Sequence, residues 1–353
     1  MGSNPSKSSL ISDPAVDPLP YLTADLPRHI VETKLPPGSG RLFRSFRIRS
    51  RCGATLVCKA AVVKFAPVTL KRSKSKTNLG LAGANDSVVS NSTADISNIH
   101  DGSISTASRG AHDNHPEITK FEIELNRIWS AVGDPTTHPN VMPYQSFFVG
   151  PNPTVKDRSG LQSQPVYLLR QHCFMTLADR LATRPFLTVT EKTWIAYQIL
   201  KALESIHESG VCHGYVSTDN ILVTSWGWVI LSDFACYKPT CVPDNDPSDF
   251  IFYFQRKTDS ENHREKRCYL APERLYTKKD RQKDVANSSD DNGSIRLTPE
   301  MDIFAAGCVF VELFLNGEGV SNSCHSLDVF DDDSRYNSQS WIFCLLLCHR
   351  HLI

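Results

Sequence analysis

An asparagine and an aspartate thirteen residues apart, Asn220 and Asp233, are the side chains whose types and spacing point most directly to chemistry. Between them lie two strand-like runs, 221–224 and 229–232, which are joined by a turn around Gly227. A hairpin of that length would bring the amide and carboxylate oxygens to the same end. Magnesium binds such oxygens and completes its shell with phosphates and water. The pattern predicts a Mg²⁺ site, and a hairpin with merely polar ends is the alternative.

A strand-like segment precedes any long helix in the chain. From about residue 28 to residue 68 the pattern is strand-like: Phe46 and Ile48 alternate with basic side chains, and an apolar run at 54–63, broken by Lys59, follows. The basic positions beside Phe46 and Ile48 are Arg47, Arg49 and Arg51. The alternation predicts a small sheet with one solvated face, and contact of these arginines with anionic lipid is the alternative.

Two helices and two short strands are predicted downstream. Residues 117–132 repeat apolar side chains at helical spacing and are followed by helix-breaking prolines. Strands are expected near 142–149 and 166–170, and a longer helix follows them. The apolar face of that helix is predicted to comprise Trp194, Tyr197, Ile199, Leu200, Leu203 and Ile206. This order of elements predicts two lobes with a hinge near residues 171–174.

The charge balance argues against a general attraction to nucleic acid. The chain has 353 residues with 38 Lys and Arg against 38 Asp and Glu, so its formal net charge is zero. Its longest apolar runs, such as 341–348, fall far short of the roughly 20 residues that a membrane-spanning helix needs. The eleven cysteines form no CxxC pair, which is typical of a reducing compartment. A cytoplasmic protein without a nucleic-acid partner is therefore expected.

The first six residues fit the pattern for N-myristoylation. Gly2 would be exposed after removal of Met1, and Ser6 supplies the hydroxyl of the pattern. A polar leader without a lipid is the alternative. A single myristoyl chain binds membranes only marginally, so a second anchor or a membrane-bound partner would be needed. Farther along, residues 71–115 are rich in Ser, Asn and Asp and contain no Phe, Trp or Tyr, which predicts a disordered insertion.

Several short motifs resemble, in order and approximate spacing, the signature set of protein kinases. They are Lys59 in a strand, Glu124 in a helix, His138-Pro139-Asn140-Val141 after that helix, Asn220, Asp233-Phe234, Ala271-Pro272-Glu273 and the run from Asp302 to Gly307. The resemblance implies ATP and Mg²⁺ as cofactors. Lys59 would hold the phosphates and pair with Glu124. Asn220 and Asp233 would hold the metal.

The register of the first pair stays open, since Lys64 and Glu122 are alternatives to Lys59 and Glu124. Architectural roles are implied for three further residues. His213 would anchor the loop, Asp302 would brace it through backbone hydrogen bonds, and Glu273 would be structural.

The catalytic loop departs from the kinase pattern at two positions. Tyr215 stands where the family has its proton-accepting aspartate, and Ser217 stands where it has a lysine. A phenol with an ordinary pKa of about 10 stays protonated at neutral pH and cannot take up a hydroxyl proton as a carboxylate does. Poor phosphotransfer is therefore expected, with rescue by Asp219 as the alternative. The phosphate-covering glycines are reduced to residues 38–40, a weak motif that also fits a simple turn.

A closer resemblance within kinases is to the kinase-like regulatory subunit of class III phosphatidylinositol 3-kinase. It rests on residues 183–187 (TRPFL), 213–214 (HG), 222–226 (LVTSW), 233–235 (DFA), 246–250 (DPSDF) and 268–274 (CYLAPER). The resemblance implies a role in vesicle sorting and autophagy, with the catalytic subunit of the lipid kinase as partner. Through N-myristoyl, a membrane surface would be a second partner. Such a protein would be peripheral on endosomal, Golgi or autophagic membranes.

These observations predict an α+β, two-lobed protein-kinase-like fold whose large lobe is truncated at its C-terminal end. The expected parts are a myristoylatable leader (1–27), a small lobe (28–170) with the insertion 71–115, a partial large lobe (171–318) and a non-matching tail (319–353). The predicted function is a regulatory subunit that holds ATP and transfers phosphate poorly. An active serine/threonine kinase using ATP and Mg²⁺ and a truncated product that does not fold are the alternatives.

Overall fold

The computed structural model describes most of the chain between residues 11 and 316. The described residues are 11–12, 17–36, 38, 40–65, 116–150, 162–244, 246–255, 268–276 and 296–316. Gly2, the predicted insertion 71–115 and the predicted tail 319–353 lie outside them.

The first half of the described chain forms a mainly antiparallel sheet and two helices. Its elements are β1 (Ile11–Ser12), α1 (Leu19–Asp25), β2 (His29–Lys34), β3 (Arg44–Ser50), β4 (Thr55–Phe65), α2 (Pro116–Val132), β5 (Val141–Met142), β6 (Ser146–Val149) and β7 (Gln162–Gln171). The strand order is β2-β3-β4-β7-β6, and β1 pairs with the end of β4. The predicted strands between residues 28 and 68 are thereby confirmed. The central strands β4 and β7 are antiparallel and bring residues far apart in sequence side by side.

Helices cover both faces of this sheet. α2 buries Phe121 and Ile128 in the larger core on one face. α1 buries Leu22 in a second core on the opposite face, and its Asp25 accepts a hydrogen bond from the Tyr167 hydroxyl at 2.6 Å. α1 packs on the face that the alternation in β3 predicts to be apolar, and the arginines of β3 lie on the other face. Because α1 falls within residues 1–27, the packed lobe also begins earlier than the predicted boundary at residue 28.

The arginines of β3 form ion pairs rather than a free basic stripe. Phe46 and Ile48 are buried, as the alternation predicts. Arg47 and Arg49 both pair with Glu32 on the neighbouring strand β2, and Arg47 Nε lies 2.9 Å from Glu32 Oε2. This shared carboxylate offsets part of the positive charge on that side of the sheet.

The second half of the described chain is mainly helical. Its elements are β8 (Met175–Thr176), α3 (Leu177–Ala182), α4 (Val189–Glu208), β9 (Ile221–Val223), β10 (Val229–Ser232), β11 (Val242–Pro243), α5 (Pro247–Tyr253), a 3-10 turn (Pro272–Arg274), β12 (Leu275–Tyr276) and α6 (Pro299–Phe314). A four-stranded sheet has the order β5-β10-β9-β8, and β11 pairs in parallel with β12. Since α4 contacts both α6 and β10, it supports the β9–β10 hairpin from beneath.

A capping box fixes the start of α4. The Thr188 hydroxyl accepts from the backbone N–H of Glu191 at 3.3 Å, and the Glu191 carboxylate accepts from the backbone N–H of Thr188 at 2.7 Å. Two of the backbone groups at the start of the helix thereby gain partners. Of the helices in the described parts of the chain, none is both long and apolar enough to cross a bilayer.

The buried face of α4 is narrower than predicted. Ile199, Leu203 and Ile206 are buried, whereas Trp194 and Tyr197 are each about half exposed. The two aromatic rings stack on each other with centroids 5.6 Å apart. Their assignment to the apolar core face is therefore wrong, because they pair with each other on the flank of the helix.

Candidate functional site

The predicted hairpin is formed by β9 and β10. The strands are antiparallel with Leu231 opposite Ile221, and the backbone N–H of Ser232 donates to the carbonyl oxygen of Asn220 at 3.0 Å. Asp233 follows immediately. Both predicted metal ligands are therefore buried at the same end of the hairpin.

Two cations from the adjacent sheet hold Asp233. The Arg170 guanidinium donates from Nε to Oδ1 at 2.7 Å and from Nη2 to Oδ2 at 3.1 Å. Lys59 Nζ lies 3.0 Å from Oδ2. Lys59 on β4 stands opposite Leu168 on β7, and side chains two residues apart share a sheet face, so Lys59 and Arg170 point the same way. Both carboxylate oxygens are thus engaged by cations.

These charges keep Asp233 ionised in spite of its burial. Burial alone would raise the pKa of Asp233, but Arg170 and Lys59 outweigh it and hold that pKa well below its usual range. Burial lowers the pKa of Lys59, an effect that the Asp233 charge opposes. Asp233 also has φ of 63°, which few residues other than glycine adopt. The charge-assisted contacts help to hold this backbone conformation.

Glu124 does not pair with Lys59. Its carboxylate is bound by Arg127 on the same helix, from Nε to Oε2 at 3.0 Å and from Nη2 to Oε1 at 2.7 Å. The structure therefore corrects the predicted Lys59–Glu124 pair, since each partner is engaged by a different group. The alternative Glu122 is half-buried on α2, and burial raises its pKa. Lys64, the alternative lysine, lies farther along β4.

The residues predicted to bind Mg²⁺ fit a divalent cation poorly. Both Asp233 oxygens are engaged by Arg170 and Lys59, and these fixed charges would repel a further cation at the same carboxylate. The Asn220 side-chain amide donates to the carbonyl oxygen of Tyr215 at 2.8 Å. The donor set is that of a closed ion pair rather than of an open metal site.

Tyr215 is buried in the loop ahead of the hairpin. Its hydroxyl donates to the carbonyl oxygen of Phe254 at 3.0 Å. Lys238 Nζ lies 3.8 Å from the centroid of its ring, and Tyr269 meets the ring edge-on at a centroid distance of 5.9 Å. Burial, followed by the charges of Lys59 and Arg274, lowers the pKa of Lys238 well below its ordinary value. At this position the loop offers a hydrogen-bond donor and an aromatic face, not a base.

Ser217 and Asp219 follow Tyr215 in the same loop. Ser217 is buried, and its hydroxyl has no hydrogen-bond partner among the described residues. A neutral hydroxyl cannot supply the charge that a lysine would bring to a transferring phosphate. Asp219 is half-buried and close enough to Lys59 and Lys238 to interact electrostatically with both.

Residues 246–255, here called the strap, join the glycine segment at residues 38 and 40 to the Tyr215 loop. The strap contains α5, whose start is capped by the Asp246 carboxylate accepting from the backbone N–H of Ser248 at 3.0 Å. Two backbone hydrogen bonds tie the other end: Gly40 N–H to Gln255 O at 3.0 Å and Arg41 N–H to Phe252 O at 2.6 Å. With the Tyr215 bond, three contacts fix the strap across the site.

Gly40 permits the close approach of the strap. Its φ is +89°, and a Cβ at this position would lie only 2.4 Å from the carbonyl oxygen of Tyr253. Any larger residue would therefore push the two segments apart. The close contact explains why residue 40 is a glycine, which the weak glycine motif alone did not indicate.

A narrow cavity remains beside the glycine segment. It is lined by Gly38, Leu42, Phe43, Ser45, Lys59, Tyr237 and Tyr253. Phe43 and Tyr237 meet edge to face at 4.9 Å between centroids, and Tyr253 of the strap is buried. A polyphosphate that reaches Lys59 through this cavity must displace aromatic rings.

Asp302 on α6 braces the loop that begins at His213. Its carboxylate accepts from the backbone N–H of His213 at 2.7 Å and of Gly214 at 2.9 Å. His207 Nε2 lies 3.1 Å from the same carboxylate. Burial alone would raise the pKa of Asp302, but the hydrogen bond with His207, together with His213 and the backbone groups, lowers it.

The contacts of His213 define where its proton sits. Nε2 faces the carbonyl oxygen of Ser232 at 2.8 Å, and the backbone N–H of Tyr215 points at Nδ1 from 3.2 Å. A carbonyl requires a donor and an N–H requires an acceptor, so the neutral ring carries its proton on Nε2. Burial lowers the pKa of His213, which favours this neutral form.

Arg274, for which the sequence pattern predicted no role, joins the loop to the segment just before the strap. Its guanidinium donates to the carbonyl oxygens of Gly214 at 2.6 Å, Thr240 at 2.6 Å and Pro239 at 3.1 Å. The neighbouring Glu273, which was predicted to be structural, has an exposed side chain. Of these two neighbours, Arg274 is the buried one and makes the contacts to the loop.

Comparisons with known proteins give one consistent result. The protein kinase domain family matches residues 130–336. Among curated proteins, the chain is 48% identical over 200 residues to "Probable serine/threonine-protein kinase vps15" of Dictyostelium discoideum, covering 57% of this chain and 9% of that protein. It is 42% identical over 181 residues to the VPS15 kinases of Arabidopsis thaliana and Saccharomyces cerevisiae, covering 51% and 50% of this chain and 10% and 12% of theirs. The chain thus spans about a tenth of the length of these relatives.

Proposed function

Because the chain belongs to the protein kinase domain family, we propose that it is a kinase-like regulatory module of a class III phosphatidylinositol 3-kinase complex. In this role it serves vesicle sorting and autophagy, holds ATP and transfers phosphate poorly. The proposal is supported by the likeness to proteins named VPS15 serine/threonine kinase and by the motifs at residues 183–187, 222–226 and 246–250.

The main support for low phosphotransfer activity is the hydrogen bond between Tyr215 and Phe254. Phosphoryl transfer by kinases uses an aspartate that accepts the proton of the attacking hydroxyl. Here the position holds a buried phenol that donates its own proton to a backbone carbonyl at 3.0 Å. A group already committed as a donor cannot serve as a base.

The strap gives a second reason for low activity. It binds the glycine segment through Gly40 and Arg41 and binds the loop through Tyr215. An acceptor peptide and a nucleotide both need the space between these segments. In this arrangement a nucleotide enters only after Tyr253 moves away from the cavity beside Lys59.

ATP holding is supported by Lys59, the lysine whose ammonium reaches Asp233 at 3.0 Å. Protein kinases in general use ATP and Mg²⁺, the metal neutralising charge on the phosphates. Lys59 would bind the phosphates once the strap has moved. Asp233 and Asn220 are the residues at the positions of the kinase Mg²⁺ ligands, and they fit a divalent cation poorly because Arg170 and Lys59 already engage Asp233.

The partner and location are part of the same proposal. The catalytic subunit of the lipid kinase would bind this module, and a myristoyl group on Gly2 would bring it to endosomal, Golgi or autophagic membranes. Support comes from the lipidation pattern at residues 1–6. One lipid chain binds weakly, so the partner would contribute to membrane retention.

A phosphotransfer assay with labelled ATP, a generic protein substrate and Mg²⁺ tests the proposal. The expected result is no incorporation above the level of the Asp233→Ala variant, with Asp134→Ala as an exposed control. Incorporation that disappears only in Asp233→Ala would instead establish an active serine/threonine kinase.

Co-purification with the class III catalytic subunit tests the partner, and loss of binding by a heat-unfolded sample is the matched control.

A thermal scan separates these outcomes from failure to fold. A cooperative unfolding transition whose midpoint temperature rises with added ATP supports a folded module that holds nucleotide. Absence of a transition would support the alternative of a chain that does not fold.

A further inference from the structure

We propose that Arg170 takes the place of a divalent cation on Asp233, so that this cleft binds a nucleoside polyphosphate without metal. The inference rests on the proposed holding of ATP and specifies its chemistry. Its starting point is the disagreement between the expected Mg²⁺ site and the residues that surround Asp233.

Arg170 binds Asp233 as a bidentate partner. Its two nitrogens lie 2.7 and 3.1 Å from the two carboxylate oxygens, and Lys59 is 3.0 Å from one of them. Planar guanidinium groups match carboxylates in this way, and such pairs are among the stronger hydrogen-bonded contacts in proteins. A metal ion would have to break or share both contacts.

The position of Arg170 leaves it little freedom to withdraw. Only 6% of the residue is exposed, it sits in the central strand β7, and its Nη1 also donates to the backbone carbonyl of Gln171 at 3.1 Å. Withdrawing Arg170 would leave its buried guanidinium without a counter-charge and Asp233 paired with Lys59 alone. The ion pair is therefore a fixed part of the cleft.

The charges near Asp233 suit an anion. Lys59, Arg170 and Lys238 all interact electrostatically with Asp233, while Asp219 is a second carboxylate near the two lysines. Because burial lowers the pKa of Lys238 well below its ordinary value, the basic groups that would meet an anion here are Arg170 and Lys59, and Lys59 also lines the cavity. Polyphosphate charge that Mg²⁺ usually neutralises would here be met by fixed basic groups.

Calorimetric titration of ATP into the purified chain, with Mg²⁺ and separately with EDTA, tests the inference. The expected dissociation constants agree within measurement error. Binding that occurs only with Mg²⁺ would overturn the inference while leaving the ATP-holding proposal in place. No ATP binding under either condition would overturn both.

A variant series assigns the effect to Arg170. Arg170→Gln should weaken ATP binding in EDTA by about tenfold, which corresponds to about 1.4 kcal/mol, and Mg²⁺ should restore it. Electron paramagnetic resonance should show Mn²⁺ bound by Arg170→Gln and not by the native chain. Arg170→Lys should keep the metal-free binding, because it keeps the charge.

Arg127→Gln is the matched control, because Arg127 also pairs bidentately with a carboxylate, that of Glu124. It should leave nucleotide and Mn²⁺ binding unchanged. Mn²⁺ bound tightly by the native chain would contradict the proposal. If Arg170→Gln does not fold, the comparison of Mg²⁺ with EDTA on the native chain still decides the question.

Discussion

The Tyr215 hydroxyl lies 3.0 Å from the Phe254 carbonyl oxygen and donates to it. The Tyr215 side chain thus anchors the strap to the loop. One hydrogen bond therefore links the loop that contains Tyr215 to the strap that covers it.

Replacing Tyr215 by Phe should loosen the strap while keeping the ring on which Lys238 rests. The change leaves the buried Phe254 carbonyl without this donor, so we expect a loss of about 1–2 kcal/mol of unfolding free energy. Urea denaturation measures the loss, and amide hydrogen exchange should rise within residues 246–255. Tyr197→Phe on the exposed α4 surface is the control and should change neither quantity.

Replacing Gly40 by Ala should separate the glycine segment from the strap. Gly53 offers a matched comparison, since its φ of +88° is nearly that of Gly40, while a methyl group on its Cα would meet no atom within 4 Å. Gly53→Ala should cost about 1 kcal/mol from backbone strain alone. Gly40→Ala carries the same strain plus a clash with the Tyr253 carbonyl, so its cost should be clearly larger. Equal costs would show that the strap does not press on Gly40.

Stability should fall as the pH drops below the ordinary histidine pKa of 6.5. His213 has a lowered pKa because it is buried, so below pH 6.5 the unfolded chain binds a proton that the folded chain does not. The unfolding free energy should then decrease by up to about 1.4 kcal/mol per pH unit, until the pH reaches the folded pKa. His29 and His172 have pKa values lowered by burial and contribute with the same sign.

Urea denaturation at pH 7.5 and pH 5.5 measures this dependence. Nitrogen-15 NMR of labelled histidines should show the His213 proton on Nε2 at the higher pH. Equal stability at the two pH values would contradict the assignment of a neutral, buried ring.

Replacing Arg274 by Met should destabilise the fold strongly. Three carbonyl oxygens lose a charged donor, and at least one of them belongs to a buried residue, Gly214. We expect a loss of roughly 3 kcal/mol or more. Arg274→Lys should recover only part of the loss, because one ammonium cannot reproduce the guanidinium geometry. Arg184→Met, at an exposed arginine, should change the unfolding free energy little. Thermal unfolding of the three variants beside the native chain measures these differences.

Local patterns predicted the elements whose signals are contained within them. α2 follows from apolar spacing, and the β9–β10 hairpin follows from two apolar runs around Gly227. The kinase-like α+β fold is confirmed by the family match. α1 was missed because it has only seven residues, and its burial depends on a sheet face made by distant segments.

The site was harder to predict, because its contacts join residues far apart in sequence. Arg170 and Asp233 are separated by 63 residues, so no spacing rule connects them. One signal was available, since Arg170 ends the apolar run 166–169 within a predicted strand, and a charge at a buried position requires a partner. No sequence signal pointed to the hydrogen bond with Phe254, because its acceptor is a backbone carbonyl and every residue has one.

Strand β1 limits how far a lipid on Gly2 could reach. Ile11 and Ser12 pair with Lys64 and Val63 on β4, and only nine residue steps separate Gly2 from Ile11. Fully stretched, that leash measures about 30 Å. A lipid on Gly2 would therefore keep the β1 end of the sheet within about 30 Å of the bilayer surface.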